Sequence, residues 1–408
     1  MSRKTVAYIC SVKSIEDIPG KDRIKYISFN ENDWQVISNV HDNPLHVGQG
    51  VIYIEYDTII NATPPAFLGC KETPFEFLRK SSYSEKYNGF KIRAMNMAGF
   101  VSYGLIVSCD VLKHYGYNPM DFDIGSDVGG YLGIKSIDEL EAARDDINKE
   151  IHSKSLNKFQ RFVKKYLYFL WKHFQPPKTS GDFPSQLVSK TDETRIENLS
   201  YLWDEKYRDM DVYATTKMDG SSITFGIHKG MFYLASRNTA KAILPIKKAI
   251  KHFNQSKEKS MVDNFYKVAC KYDLPNKLSK LKMDIFFQGE LCGPGIQKNR
   301  LGLADHEVYI FNVFDPKARR FFSLNNIHKF SDMIDVPVVL TQYRGKFKWT
   351  NKAEIKEFVK GNYPNGHPQE GIVFRADTND TYTPTAERGM SNMWSFKVIN
   401  DDFATLVG

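Results

Sequence analysis

Residues 215–225 read TTKMDGSSITF. Lys217 stands two positions before Asp219 and three before Gly220, and a run of strand-forming residues, Ile223 to Phe225, follows. The pattern fits a strand that ends at a glycine turn and hands over to a second strand. Two readings are open at this point. The turn can be a surface connection with solvated lysine and aspartate, or it can hold a lysine that becomes covalently loaded with a nucleotide. Alone, Lys-x-Asp-Gly is weak evidence in a chain with 56 lysines and arginines.

Further strand-like runs flank it: DVYATTK before, and SITFGIH, MFYLASR, DIFFQGEL, EVYIFNVFD and GIVFRA after. A lysine-rich tract over 240–282 has helical character. Residues 183–408 therefore read as α+β, with largely antiparallel sheets and helices packed outside them. Residues 1–130 read as mostly β. KDRIKYISFNENDWQVISNV gives two strands about a polar turn, VGQGVIYIEYDTII one, and GFKIRAMNMAGFVSYGLIVS two more, with breaks at Gly99 and Gly104. Short strands punctuated by glycine suggest a small barrel, and periodicity does not separate an OB barrel from another small β fold. Between them, residues 131–182 read as a helical basic linker. Ser136 is the expected cap of a helix over 136–152, with Glu139 at the capping-box position. The stretch from Ile151 to Gly181 has seven lysines and arginines and no acidic residue, with Phe159, Phe162, Tyr166 and Phe169 at helical spacing. It suits either a helix packed by its aromatic stripe or a basic nucleic-acid contact. QPPKTSGDFP ends it.

The chain of 408 residues has room for two or three domains, and 42% apolar with 25% charged residues is ordinary for a globular protein. The formal charge of +8 is compatible with a polyanionic partner. The five cysteines are widely spaced, without Cys-x-x-Cys, which fits a reducing compartment and neither a disulfide framework nor a zinc site. No signal-peptide core is legible in MSRKTVAYICSV, and FVKKYLYFLWKHF is too short and too broken by lysine to span a bilayer. The expectation is a soluble intracellular monomer without a membrane partner.

Five more segments bear on the lysine. ASRN places Arg237 and Asn238 at a strand end, and FQGELCGPGIQ places Glu290 before a glycine- and proline-rich turn. YIFNVFD offers Phe311 and Phe314, EGIVFR places Glu370 before a strand, and WSFKVIN places Lys397 near the C-terminus. Each has an ordinary structural reading alone. Together they match what nucleotide transfer through a lysine requires. A lysine attacking an α-phosphorus must be neutral, although its reference pKa is about 10.4. A divalent cation held by Asp219, Glu290 and Glu370, largely through water, favours the neutral amine. Lys397 and an arginine can neutralise charge on the α-phosphate. Phe314, or with less support Phe311, can stack on a purine.

Lys217-Met-Asp219-Gly220, SRN, GELCGPGIQ, VFD, EGIVFR and SFKVIN resemble, in identity and order, the motifs of covalent nucleotidyltransferases, which include ATP-dependent ligases and mRNA capping enzymes. Within that superfamily the chain is most similar to the fifth family of RNA ligases, which place an OB domain before the ligase domain. IPGKDRI, NDWQVI and VGQGVIYIEYDTII resemble that N-terminal module, and VSKTDETRIENL resembles the segment leading into the ligase domain. The resemblance implies an OB-like β-barrel over 1–130 and a nucleotidyltransferase domain of ATP-grasp-like, antiparallel-sheet build over 183–408. It implies ATP as co-substrate, Mg²⁺ or Mn²⁺ as metal, and RNA or an RNA-containing nicked duplex as partner. Lys217 would carry the AMP, and Asp219, Glu290 and Glu370 would engage the metal's water shell. Lys397 would contact the α-phosphate, and Arg195 a phosphate of ATP or of the nucleic-acid end. Thr216, Gly220, Arg237, Asn238 and Phe314 would line the nucleotide site.

Two departures stand out. Ser395 replaces the first lysine of a common Lys-x-Lys motif, and MNMAGFVSYGL lacks the basic residues expected of a nucleic-acid face, although Lys91 and Arg93 lie just upstream. A capping guanylyltransferase or DNA ligase would keep the chemistry, but those enzymes usually place the OB domain last. A catalytically inactive nucleic-acid-binding protein would have no need of the lysine and the three carboxylates.

Overall fold

The computed structural model describes residues 5–41, 44–61, 82–97, 99–141, 143, 181–256 and 263–407. The chain forms two compact units, one of Met1–Asp146, Ile196–Leu202 and Asp401–Gly408, the other of Ile147–Arg195 and Trp203–Asn400.

The first unit is a curled set of antiparallel strands. Its five-stranded sheet runs Leu105–Ser108, Gly50–Ile54, Ala7–Ile18, Lys21–Phe29, Gln35–Asn39. The long strand Ala7–Ile18 serves two partners: Ala7 to Ser11 pair with Gly50–Ile54, while Val12 to Ile18 pair with Lys21–Phe29. A register shift between Val12 and Ser14 bends the strand at the changeover, as bulges do where a sheet curls toward a barrel. VGQGVIYIEYDTII forms two strands, Gly50–Ile54 and Thr58–Asn61, because Asp57 takes a left-handed conformation with φ 59°. The glycine-broken run after residue 88 likewise yields four short strands, Gly89–Ile92, Ala94–Met97, Phe100–Tyr103 and Leu105–Ser108. The core is aromatic: Trp34 and Phe29 lie against Tyr53, with ring centroids 6.0 and 5.1 Å away. Trp34 Nε1 donates to Asn198 Oδ1 at 2.7 Å, so residues from the Ile196–Leu202 return complete the polar side of this core.

The second unit holds two sheets. A seven-stranded antiparallel sheet runs Gly181–Asp182, Thr239–Pro245, Met231–Ser236, Ser221–His228, Ile285–Cys292, Glu307–Asp315, Arg320–Phe321. A five-stranded sheet runs Thr194–Arg195, Ser395–Ile399, Gly371–Ala376, Asp211–Lys217, Thr341–Lys346, with Thr194–Arg195 parallel to its neighbour. The helices Ile246–Ser256, Asn264–Lys271 and Leu274–Lys280 bury Ala249, Phe253, Val268, Leu274 and Leu278 with Ile223, Phe225, Phe232 and Leu234 of the larger sheet. The lysine-rich tract is therefore helical only from Ile246, since Thr239–Pro245 is a strand.

Glu139 N donates to Ser136 Oγ at 3.1 Å, the expected capping bond, at the start of a helix whose further course lies outside the described residues. So does the basic aromatic stretch up to residue 180. In the first unit, Lys91 lies 3.6 Å from Asp57, which offsets part of the basic charge beside MNMAGFVSYGL.

Asn198→Ala removes one acceptor from the fully buried Trp34 indole. The net loss of such a hydrogen bond is about 0.5–1.5 kcal/mol. Urea unfolding of the full chain should show a loss of this size, whereas an unchanged midpoint would mean that the 196–202 return adds nothing to the Trp34 core.

Candidate active site

The quoted stretch joins the two sheets of the second unit. Asp211–Lys217 belongs to the smaller sheet and Ser221–His228 to the larger, so Met218, Asp219 and Gly220 make the crossing. Gly220 is required by closeness rather than by an unusual φ. A Cβ there would lie 2.6 Å from Leu291 O, 2.7 Å from Glu290 Cγ and 2.9 Å from Cys292 Sγ. The missing side chain lets the crossing lie directly against the strand that carries Glu290.

Register supplies the second carboxylate. Lys217 pairs with Gly371 across the smaller sheet, which leaves Glu370 beside the lysine. Lys217 Nζ donates to Glu370 Oε1 at 2.5 Å, and both side chains are mostly enclosed, at 24% and 18% exposed. Burial works to lower the Lys217 pKa, but the charges of Glu370, Glu290 and Glu193 outweigh it, and the net direction is up. The amine is therefore held as a cation by the surrounding acids. Burial, together with the negative charge of Glu370 and Glu193, pushes the Glu290 carboxyl up to about 8, against the opposing effect of Lys217 and Arg237. The acids gathered beside the lysine make ionising Glu290 costly.

One hydroxyl fixes this geometry. Tyr363 OH donates to Lys217 O at 2.9 Å and accepts from Asp219 N at 3.1 Å and Glu370 N at 3.2 Å. It ties the sheet crossing to the strand that presents Glu370. Nothing in the sequence pattern around Tyr363 marks it for this work.

Asp219 is turned to a different partner from the one expected. Its Oδ2 forms a buried ion pair with Arg300 Nη1. Burial and the charge of Glu370 raise its carboxyl above the ordinary value, although Arg300 opposes this. Among the described residues no group of three or more histidine, cysteine, aspartate or glutamate side chains is arranged to hold a metal directly. The expected set of three metal carboxylates thus reduces to two that face the lysine, Glu290 and Glu370, with Asp219 engaged by Arg300. Two neighbouring carboxyl groups, one of them held toward its protonated form without a further cation, fit a divalent cation at Glu290 and Glu370.

The cationic side is organised by VSKTDETR. Asp192 lies 3.4 Å from Lys397 Nζ and 3.7 Å from Arg237 Nη2. Arg195 is the parallel-register partner of Lys397. Asn238 Oδ1 accepts from Lys190 Nζ at 2.8 Å. Glu193 accepts from Arg375 Nη2 at 3.0 Å, and Arg375 Nη1 donates to Thr215 Oγ1, also at 3.0 Å. Ser395 is buried and pairs across the sheet with Arg375, so a guanidinium neighbours the position of the absent motif lysine. Lys190, Asp192 and Glu193 were legible only as part of a lead-in segment, and their placement comes from the fold.

Two expected nucleotide contacts fail. Phe314 is 1% exposed and packs on Phe321, with centroids 4.9 Å apart, inside a cluster with Phe183 and Phe286. It offers no open face to a purine. Phe311 is the better-placed ring. Gln288 pairs with Asn312 and Gly289 with Ile310, so Phe311 is the extra residue of a bulge. It is half-buried, with the Arg375 guanidinium 5.8 Å from its centroid. Thr216 is also turned away: strand alternation sends its side chain to the face opposite Lys217, where its hydroxyl accepts from Gln342 Nε2 at 2.8 Å.

The family model for RNA ligase matches residues 210–395, and one for an OB-fold domain matches residues 6–109. Comparison with curated proteins gives no significant match. Among solved structures, a variant of the Naegleria gruberi RNA ligase with ATP and Mn is 19% identical, with a TM-score of 0.67 over 98% of each chain. A second variant with AMP and Mn is 18% identical, TM-score 0.68, again over 98% of each chain. The same ligase with PPi is 19% identical, TM-score 0.68, with the same coverage. At such identity these likenesses establish a shared fold. The chain thus carries a segment, residues 210–395, that matches the RNA ligase family model, preceded by an OB-fold domain match over residues 6–109.

Proposed function

We propose that the protein is an ATP-dependent RNA ligase that joins a 3′-OH end to a 5′-phosphate end, with a nicked duplex as substrate. The observation that carries this reading is the convergence of Lys217, Glu370 and Glu290 where the two sheets meet. A structural ion pair has no need of a second buried carboxylate pushed up to about 8. The family domain and the ATP, AMP and PPi complexes of the Naegleria ligase support the same direction.

In the first step Lys217 Nζ attacks the α-phosphorus of ATP. A phosphorus–nitrogen bond forms, the α–β phosphoanhydride breaks, and pyrophosphate leaves. In the second, an oxygen of the RNA 5′-phosphate attacks the same phosphorus and releases the lysine amine. In the third, the 3′-OH attacks the 5′-phosphorus and AMP departs. Glu290 and Glu370 would hold the divalent cation, which when bound supplies positive charge beside the transferring phosphate. With their charge engaged elsewhere, the acids no longer hold the proton on Lys217, and burial then favours the free amine. Lys397, Arg237 and Arg195 lie together to receive phosphate oxygens, with Asp192 between the first two. Phe311 supplies the ring for the base.

Labelled ATP with Mg²⁺ should mark the protein covalently and labelled GTP should not. Lys217→Ala should abolish the mark, and labelling that survives this change would place the nucleotide elsewhere. Tyr363→Phe keeps the ring but removes the three bonds that align Lys217 with Glu370. The rate of adenylylation should fall about tenfold to a hundredfold, with the KM for ATP little changed. A change in KM alone would assign Tyr363 to binding instead. On a panel of nicked duplexes with ribose or deoxyribose at each strand position, sealing should depend on RNA at the nick. Preferential sealing of all-DNA nicks would move the protein to the DNA ligases.

A further inference from the structure

Asn312 lies on the strand Glu307–Asp315 and is 2% exposed. A chain of two hydrogen bonds fixes the orientation of its amide. The Ser189 carbonyl can only accept, and Gln288 Nε2 donates to it at 2.7 Å. Gln288 Oε1 is thereby turned toward Asn312, whose Nδ2 donates to it at 3.4 Å. Asn312 Oδ1 is left as an acceptor, and no donor among the described residues reaches it. Buried polar atoms are nearly always bonded, so an acceptor left open beside a cleft invites a donor, from water or from a ligand.

The position suits one. Asn312 lines a cleft with Glu193, Thr191, Phe321, Met393 and Ser395. Phe321 and Met393 line it with apolar side chains that belong to a packed aromatic cluster. Thr191 Oγ1 lies 3.3 Å from Ser222 Oγ, at the start of the strand that follows the lysine crossing. Gln288 is two residues from Glu290 on one strand, about 6–7 Å along it. A nucleotide with its α-phosphorus at Lys217 would carry its base over a comparable span.

We propose that Asn312 Oδ1 sets base specificity by accepting a hydrogen bond from the exocyclic 6-amino group of adenine. Guanine carries a carbonyl oxygen at that position, which would meet Oδ1 acceptor to acceptor. The amide has no easy way to reverse, because reversal would set Asn312 Oδ1 against Gln288 Oε1. This inference rests on the nucleotidyl-transfer reading of Lys217 and adds to it the group that distinguishes the base.

The test is single-turnover adduct formation with ATP, purine riboside triphosphate (adenosine triphosphate without the 6-amino group) and GTP, read by intact-protein mass. The wild type should use purine riboside triphosphate about tenfold less efficiently than ATP, the worth of one hydrogen bond to a buried acceptor, and GTP less well still. In Asn312→Leu, similar in size but without the acceptor, ATP should lose its advantage over purine riboside triphosphate. Equal use of these two by the wild type overturns the proposal, and so does a leucine variant that keeps the full preference for ATP. If that variant fails to fold, the wild-type comparison decides alone. Failure of every nucleotide to form an adduct would instead remove the lysyl-nucleotide reading, and the role of Asn312 with it.

Discussion

The second unit depends on one electrostatic arrangement: an enclosed lysine cation held among more carboxylate than it can neutralise. Lys217 bonds Glu370 directly and feels Glu290 and Glu193 through space. An amine in so dry a place would ordinarily lose its proton, and here the acids reverse that tendency. On the proposed reading this stores the lysine in its unreactive form until positive charge engages its neighbours, which would couple the first chemical step to the presence of cation and nucleotide.

Such an arrangement needs backbone elements that approach closely and do not drift. Gly220 allows the crossing to lie against the Glu290 strand, where even a methyl group would strike Leu291 O. Tyr363 ties the lysine carbonyl and the two backbone amides with one hydroxyl. Arg300 fixes Asp219 by a buried ion pair. In buried pairs of this kind the cost of desolvation offsets much of the attraction, so orientation of the crossing is the stronger reason for Arg300 than net stability. These residues touch no reacting atom, yet they decide how the acids stand around Lys217.

Much of the fold was legible in the sequence. The six strand-like runs of residues 211–376 appear as strands, and the curled N-terminal sheet with its glycine and left-handed breaks matches the expected small β module. The lysine and two of its acids were legible too, because strand ends and glycine turns mark where a chain leaves a sheet. The errors have local physical causes. Phe314 and Phe311 both sit in EVYIFNVFD, and alternation cannot rank them once a bulge inserts an extra residue between Ile310 and Asn312. Thr216 adjoins Lys217 in sequence, which on a strand means the opposite face. Asp219 carries the charge expected of a metal carboxylate, but its partner Arg300 lies 81 positions away.

The sequence by itself marked the candidate residues for the chemistry and most strands of the second unit, because side-chain pattern and turn residues act over a few positions. Only the tertiary structure decided which of them meet. Glu370 reaches Lys217 through sheet register, Glu290 through the absent side chain of Gly220, and Asp192 by lying between Arg237 and Lys397. Those outcomes depend on distances between segments far apart in the chain. Charge and hydrogen bonding act through space, and no local pattern of residues records that distance.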